Sequence, residues 1–178
     1  DTTVMGDIWN SQTWYKLDAV YQVGNSFYVY ADWVIEAGAE LVFGADCGFS
    51  IQTDGSIVAD GDSENHIVFT GVDDTPGYWG GLAFDGASNS ANLLDFCDIS
   101  YGGGATTNEW NSANISLVIG AGSTNIAITN CAISNSSVNG INSESTGITV
   151  NGTLVSSYSG TEFYDALVAV GNSFTGNT

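Results

Sequence analysis

"IEAGAELVFGADCGFSIQTDGSIVADG" spans residues 35–61. Its apolar bursts are short: Ile35, then Leu41-Val42-Phe43, then Ile51, then Ile57-Val58. Gly38, Gly44, Gly48, Gly55 and Gly61 separate them, and neither proline nor lysine occurs. No apolar i, i+3, i+4, i+7 stripe survives these interruptions, so the stretch does not read as helix. It reads as brief strands joined by tight turns.

The same grammar extends in both directions. Candidate strands precede it at 15–23, 27–30 and 33–36, and lie within it at 40–44, 49–53 and 56–60. Others follow at 66–71, 81–86, 92–101, 115–120, 125–134, 147–157 and 166–170. Only "TEFYDALVAV" (161–170) reads equally as a short helix or a strand.

Short strands of this kind suit a sandwich or a solenoid, and three features favour the solenoid. The turns lack the two-residue Asn-Gly links of hairpins. The sequence repeats itself: "NLLDFCDIS" (92–100) and "NIAITNCAIS" (125–134) align on Cys97 and Cys131, pairing Leu94 with Ile128, Ile99 with Ile133 and Ser100 with Ser134. Such a period signals stacked coils, with "GGGATTNEWNS" (102–112) as an inserted loop. Finally, equivalent side chains on stacked coils sit about 4.8 Å apart, where like charges repel and Asn, Ser and Thr do not. Charged residues are accordingly only 12% of the chain. The expected inward stacks contain Ile35, Val42, Ile51, Ile57, Phe69, Leu82, Phe84, Leu94, Ile99, Ile128 and Ile133, with glycine supplying the positive-φ bends.

The run from Trp33 to Gly104 also resembles a family. "WVIEAGAELVFG", "GSIVADG", "HIVFTG", "WGGLAFDG" and "LLDFCDISYGG" follow, in order, the strand-and-turn succession of secreted bacterial right-handed parallel β-helix proteins with the pectin-lyase-like fold. His66 stands where that succession has a proline, a turn device. The resemblance implies an all-β, right-handed parallel β-helix, a single domain over 1–178 with an irregular N-terminal segment. Residues 1–26 are expected to cap or dock, 27–157 to form the coils, and 158–178 to form a last coil or a docking segment. The fold hosts enzymes, adhesins and scaffolds alike, so function must come from the site.

Composition narrows that site. The 178 residues carry 20 acids, one lysine (Lys16) and no arginine, a formal net charge of −19. Phosphate recognition needs Lys or Arg, so nucleic acid is not an expected partner. No run approaches the roughly 20 apolar residues of a membrane span, so membrane insertion is not expected. Asp1 follows no visible signal sequence, which fits a processed, secreted N-terminus. The expected location is extracellular or at the cell surface.

The chemistry of a uronate lyase calls for a strong base and cations around the enolate. The chain has no arginine, and its one lysine, Lys16, lies in the N-terminal segment outside the recognised coils, so a lyase is not expected. A glycoside hydrolase needs two opposed carboxylates about 5–10 Å apart. Asp73-Asp74 reads as a turn before Pro76-Gly77, and Asp95 and Asp98 lie on one strand run. No catalytic residue is therefore assigned. In "DGDSEN" (60–65), Asp60, Asp62 and Glu64 alternate like the start of a calcium loop but lack its later ligands. No cofactor is expected, calcium at this loop being the single candidate. Tyr101 and Trp110 flank the glycine-rich loop and are candidates for stacking on sugar rings. Trp9, Trp14 and Tyr15 precede the first confident coil and are candidates for capping or docking. Cys97 and Cys131 are candidates for a disulfide, against the equal alternative of buried thiols. Asn114, Asn135 and Asn151 head formal glycosylation sequons.

The expectation is a non-catalytic extracellular structural protein, a surface or matrix module that self-assembles by end-to-end stacking into fibres or mediates adhesion. Its partners would be further copies of itself, stacked end to end, or matrix components. "GNSFTGNT" (171–178) reads as the middle of another coil. The alternative is a carbohydrate-binding or glycoside-hydrolase-like β-helix.

Overall fold

The computed structural model describes residues 2–4, 6–104, 112–118 and 125–143 in full; farther on it describes the strands at 148–151, 154–156, 160–163, 167–170 and 173–174 as backbone. The first turn of the chain holds β1 (Thr2–Val4), a bridge from Ile8 to Val29, and β2 (Gln12–Trp14). Each later turn lays down three strands. These are β3 (Tyr21–Val23), β4 (Phe27–Val29) and β5 (Asp32–Glu36), then β6 (Glu40–Phe43), β7 (Gly48–Ile51) and β8 (Ser56–Asp60). The series continues with β9 (Ile67–Gly71), β10 (Gly81–Asp85) and β11 (Leu93–Asp95), then β12 (Cys97–Ser100), β13 (Ala113–Val118) and β14 (Ile126–Thr129). It runs on through β15 (Ala132–Ser134), β16 (Asn139–Ser143) and β17 (Ile148–Asn151), then β18 (Leu154–Ser156), β19 (Gly160–Phe163) and β20 (Leu167–Val170), and β21 (Ser173–Phe174) opens another turn.

From β2 onward every strand pairs in parallel with the strand three places along. The result is three sheets of eight, six and seven strands: sheet I begins at β1, sheet II at β4 and sheet III at β2. This is the right-handed parallel β-helix that the sequence implied, all-β, with no helix among the described residues. The 161–170 segment contributes β19 and β20 as strands.

The core is a set of registered stacks. In sheet II, Phe27, Phe49, Leu82, Ile115 and Ile141 succeed one another, as do Val29, Ile51, Phe84 and Leu117. Sheet III stacks Ile35, Ala59, Leu94 and Ile128, and sheet I stacks Leu41, Phe69, Ile99 and Ile133. All of these are buried. The 34-residue alignment of the two cysteine segments is the true register: Leu94 faces Ile128, Ile99 faces Ile133 and Ser100 faces Ser134. One expected core residue is misplaced. Val42 points outward, while its neighbours Leu41 and Phe43 are fully buried. In an apolar triplet the period of two decides only once the partner strand fixes the phase.

Two runs expected as single strands are each two. Phe96 (φ 47°) breaks 92–101 into β11 and β12, and Asn130 (φ 50°) breaks 125–134 into β14 and β15. The next corners repeat the device at Tyr101 (φ 64°) and Asn135 (φ 54°). Bends assigned to glycine are thus also made by larger residues. Where glycine is indispensable, the reason is often space: a Cβ on Gly55 would lie 2.1 Å from the Val29 carbonyl oxygen on the preceding coil.

Asparagines knit the corners. Asn92 is buried; its Oδ1 accepts from Ile57 N at 2.9 Å, and its Nδ2 donates to Ala87 O and Asn125 O at 3.0 Å each. Asn114, also buried, accepts from Gly102 N at 2.7 Å and donates to Ser134 O at 2.8 Å. Such groups persist in a core because their partners satisfy them. Asn114 is therefore structural, and its sequon is inaccessible to a glycan.

Candidate functional site

The N-terminal segment, expected as an irregular cap, is itself wound as the first turn. Its β1 and β2 end sheets I and III, so each carries an unpaired outer edge among the described residues. Between these edges lies a cavity of about 260 Å³, lined by Val4, Asp7, Ile8, Gln12, Trp14 and Tyr21 among others. This is the mouth of the core. Trp14 is buried, stacked on Tyr21 at 4.6 Å and edge-on to Trp33 at 4.7 Å. Its Nε1 donates to Gln12 Oε1 at 3.2 Å. Tyr21 donates its hydroxyl to Tyr15 O at 2.8 Å, and burial raises its pKa.

Trp9 behaves differently. It is 65% exposed and stacks face to face on Tyr30 at 4.2 Å and 12°. Tyr28 tilts against Tyr30 at 6.2 Å. The ladder arises because Tyr30 N donates to Ile8 O, setting residues 9 and 30 side by side on adjacent rungs. Tyr15 is 57% exposed beyond Trp14. Of the three docking candidates, Trp14 closes the core while Trp9 and Tyr15 face solvent. Sequence spacing could not separate these roles, since all three sit in one polar stretch.

Among the described residues no three metal-ligating side chains come together. Asp60, Asp62 and Glu64 are held apart by the local structure: Asp62 Oδ1 accepts from Glu64 N at 2.8 Å and Asn65 N at 2.9 Å, a turn-closing role. The Glu64 N–H, then the Asn65 side-chain amide, hold the Asp62 carboxyl below its ordinary range. Asp60 instead joins an outer column with Glu36 and Asp95 on successive rungs of sheet III. Asp95 Oδ1 is occupied by Thr129 Oγ1 at 2.7 Å and Asn130 Nδ2 at 2.9 Å.

The disulfide candidates are buried thiols with no disulfide between them. Cys97 and Cys131 precede the registered pair Asp98–Ala132, so they lie on neighbouring rungs. Cys131 donates to Thr129 O at 3.1 Å, and Cys97 to Asp95 O at 3.5 Å. Burial, then the neighbouring Cys131 thiol, pushes the Cys97 thiol well up. Thiols packing as small apolar groups account for both positions.

Of the sugar candidates, Tyr101 is half-buried and packs against the core. Trp110 lies outside the described residues. His66, read as a turn residue, places its ring nitrogen Nδ1 3.0 Å from Asp98 Oδ1, across to the next coil. Trp79 is a core residue, stacked on Phe43 at 4.3 Å and donating Nε1 to Ser100 O at 2.6 Å.

Three parallel sheets wound about one apolar core define the class: a parallel β-helix. Residues 3–119, more than half of the chain, match the family of pectate-lyase-like beta-helix domains, and the chain belongs to it. No curated protein and no solved structure matches the chain.

Proposed function

We propose that this chain is a non-catalytic structural module of an extracellular or cell-surface matrix, and that copies associate end to end through the mouth of the β-helix. One observation carries the reading. At the first turn, the outer edges of β1 and β2, unpaired among the described residues, surround a cavity reaching core residues Val4, Ile8 and Trp14. Unpaired edges recruit further strands. A rung of a second copy satisfies such an edge at the pitch the coils already use, about 4.8 Å. Repeated head-to-tail contacts that do not close make filaments.

The charge sets the conditions. At −19 per copy, association should need screening, and the Debye length falls to about 10 Å near 0.1 M salt. Light scattering and electron microscopy over a concentration series in moderate salt test the reading. Rods lengthening with concentration support it. A monomer at every concentration and salt removes it.

The exposed Trp9 face favours a second reading, stacking on a neutral sugar ring, as in a carbohydrate-binding module. Quenching of tryptophan fluorescence by neutral polysaccharides, lost in Trp9→Ala, would support it over assembly.

A further inference from the structure

Coulomb attraction should send the chain's single lysine to a carboxylate, since 20 acids surround it in composition. It does not go there. Among the described residues the basic side chain that contacts a carboxylate is His66, on Asp98, while Lys16 Nζ donates to the neutral side-chain amide of Asn65, at 3.3 Å from Oδ1. The two residues are 49 apart in sequence.

The contact is built by three stacked corners where the chain passes from sheet III to sheet I. Lys16 follows β2, Gly38 joins β5 to β6, and Asn65 joins β8 to β9. Gly38 N donates to Asn65 O at 3.1 Å, fixing the middle corner on the lower one. The lysine stem lies across Gly38, whose φ is +78°; a Cβ there would stand 2.9 Å from Lys16 Cδ and 3.2 Å from Nζ. The amide is oriented as well. Asn65 Nδ2 donates to Asp62 Oδ1 at 3.1 Å and Oδ2 at 3.2 Å, which turns its carbonyl oxygen toward the lysine. The carbonyl carbon lies one C=O bond, about 1.23 Å, beyond that oxygen. On this exposed corner the Lys16 amine thus meets the Asn65 amide at its oxygen, and the Asp62 carboxylate holds the nitrogen that would depart.

We propose that Lys16 and Asn65 form an intramolecular isopeptide bond, a covalent tie from the first coil to the third. The deprotonated Lys16 amine adds to Asn65 Cγ, forming the N–C bond as the carbonyl pair moves onto Oδ1. A proton from the attacking nitrogen passes through the Asp62 carboxylate to Nδ2. The pair on Oδ1 returns, the Cγ–Nδ2 bond breaks, and ammonia leaves. Nothing is oxidised or reduced, and the chain becomes lighter by one ammonia. Proximity is what the fold supplies, since groups held together on one chain react faster than the same groups free in solution. The titratable groups around the corners are Asp18 after Lys16, Glu36 and Glu40 on either side of Gly38, Asp62 and Glu64 of the Asn65 loop, His66 after it, and Asp98 beside His66. The tie would close a long loop of chain and so resist unwinding from the N-terminal end. It goes beyond the assembly reading and does not depend on it.

Intact-mass spectrometry of the full chain, fresh and after incubation at about pH 9, tests this, because lysine amines are nucleophiles only when deprotonated. The expected result is loss of one ammonia, with Lys16 becoming inert to an amine-reactive ester. Digestion should yield one branched peptide joining the Lys16 and Asn65 segments. Asp62→Ala should slow the loss at least about tenfold, as for a removed proton-transfer group. Lys16→Arg should abolish it while strand circular dichroism stays unchanged. An equal ammonia loss in Lys16→Arg would assign it to succinimide formation at an asparagine and overturn the proposal. So would a wild-type mass unchanged after prolonged alkaline incubation, with Lys16 still reactive.

Discussion

Replacing Asn92 by alanine tests how far the coils depend on one buried amide. Asn92 reaches both ways along the axis. It accepts from Ile57 N on the coil before and donates to Asn125 O on the coil after, with Ala87 O at its own corner. Alanine removes three hydrogen bonds, Asn92 being only 1% exposed; it strands the buried Ile57 N–H, while Ala87 O keeps its bond from Asn125 N and Asn125 sits on an exposed corner. Each buried polar group left unsatisfied costs about 1–3 kcal/mol, against about 1 kcal/mol for an ordinary lost bond. Some relaxation and water entry will return part of this. The net expectation is about 3–5 kcal/mol, or a Tm lowered by about 10–15 °C for a chain of this length. Asn92→Asp should be as damaging at neutral pH, since it sets a carboxylate against two carbonyl oxygens. The control is Asn89→Ala, which loses a single bond to Ala91 N on an exposed turn and should cost under about 1 kcal/mol. Urea unfolding of the three variants decides the matter. An Asn92→Ala cost below about 1 kcal/mol, or one no larger than the Asn89 control, refutes the reasoning.

Gly55→Ala should cost more than about 2 kcal/mol, because its Cβ would meet the Val29 carbonyl at 2.1 Å and backbone must move; thermal unfolding reads the loss. Asp60→Asn should raise stability by about 0.5 kcal/mol at low salt and by less at high salt, since it dilutes the Glu36–Asp60–Asp95 column; paired melts at two ionic strengths check both signs. The Asp62 carboxyl titrates lower in the fold than in the unfolded chain, so its bonds stabilise the loop above the ordinary aspartate pKa of about 3.9 and are lost as pH falls through the lowered one. The melting difference between wild type and Asp62→Ala should therefore shrink as pH falls through the acid range, and a difference independent of pH would contradict that cause.

The winding was legible because it has a simple physical signature. Strand-length apolar bursts, turn residues between them and a repeat anchored on Cys97 and Cys131 leave few folds open, and the same repeat gave the register of Leu94 on Ile128. The corners were less legible. Phe96 and Tyr101 take positive φ although nothing in an aromatic residue predicts it; the surrounding stacks impose the bend. Val42 was misassigned because Leu41-Val42-Phe43 offers two phases, and only pairing with β3 and β9 selects one. Spacing displays the acidic alternation of Asp60, Asp62 and Glu64 but not the bonds that Asp62 Oδ1 accepts from Glu64 N and Asn65 N, which depend on the fold of the turn. Asn92 and Asn114 looked like two of many turn asparagines. A buried amide differs from an exposed one only through its partners, which are distant in sequence.

The account stands on parallel coils stacked in one register, and cysteine pairs on the outer face of sheet I test that register directly. Thr70 and Ser100 occupy adjacent rungs with hydroxyl oxygens 3.2 Å apart, and Ser134 follows Ser100 one rung later. In a background with Cys47, Cys97 and Cys131 replaced by serine, Thr70→Cys with Ser100→Cys should oxidise to an intramolecular disulfide, as adjacent rungs about 4.8 Å apart allow. Thr70→Cys with Ser134→Cys, two rungs apart, should remain reduced. Rapid closure of the second pair, or none of the first, would contradict the winding.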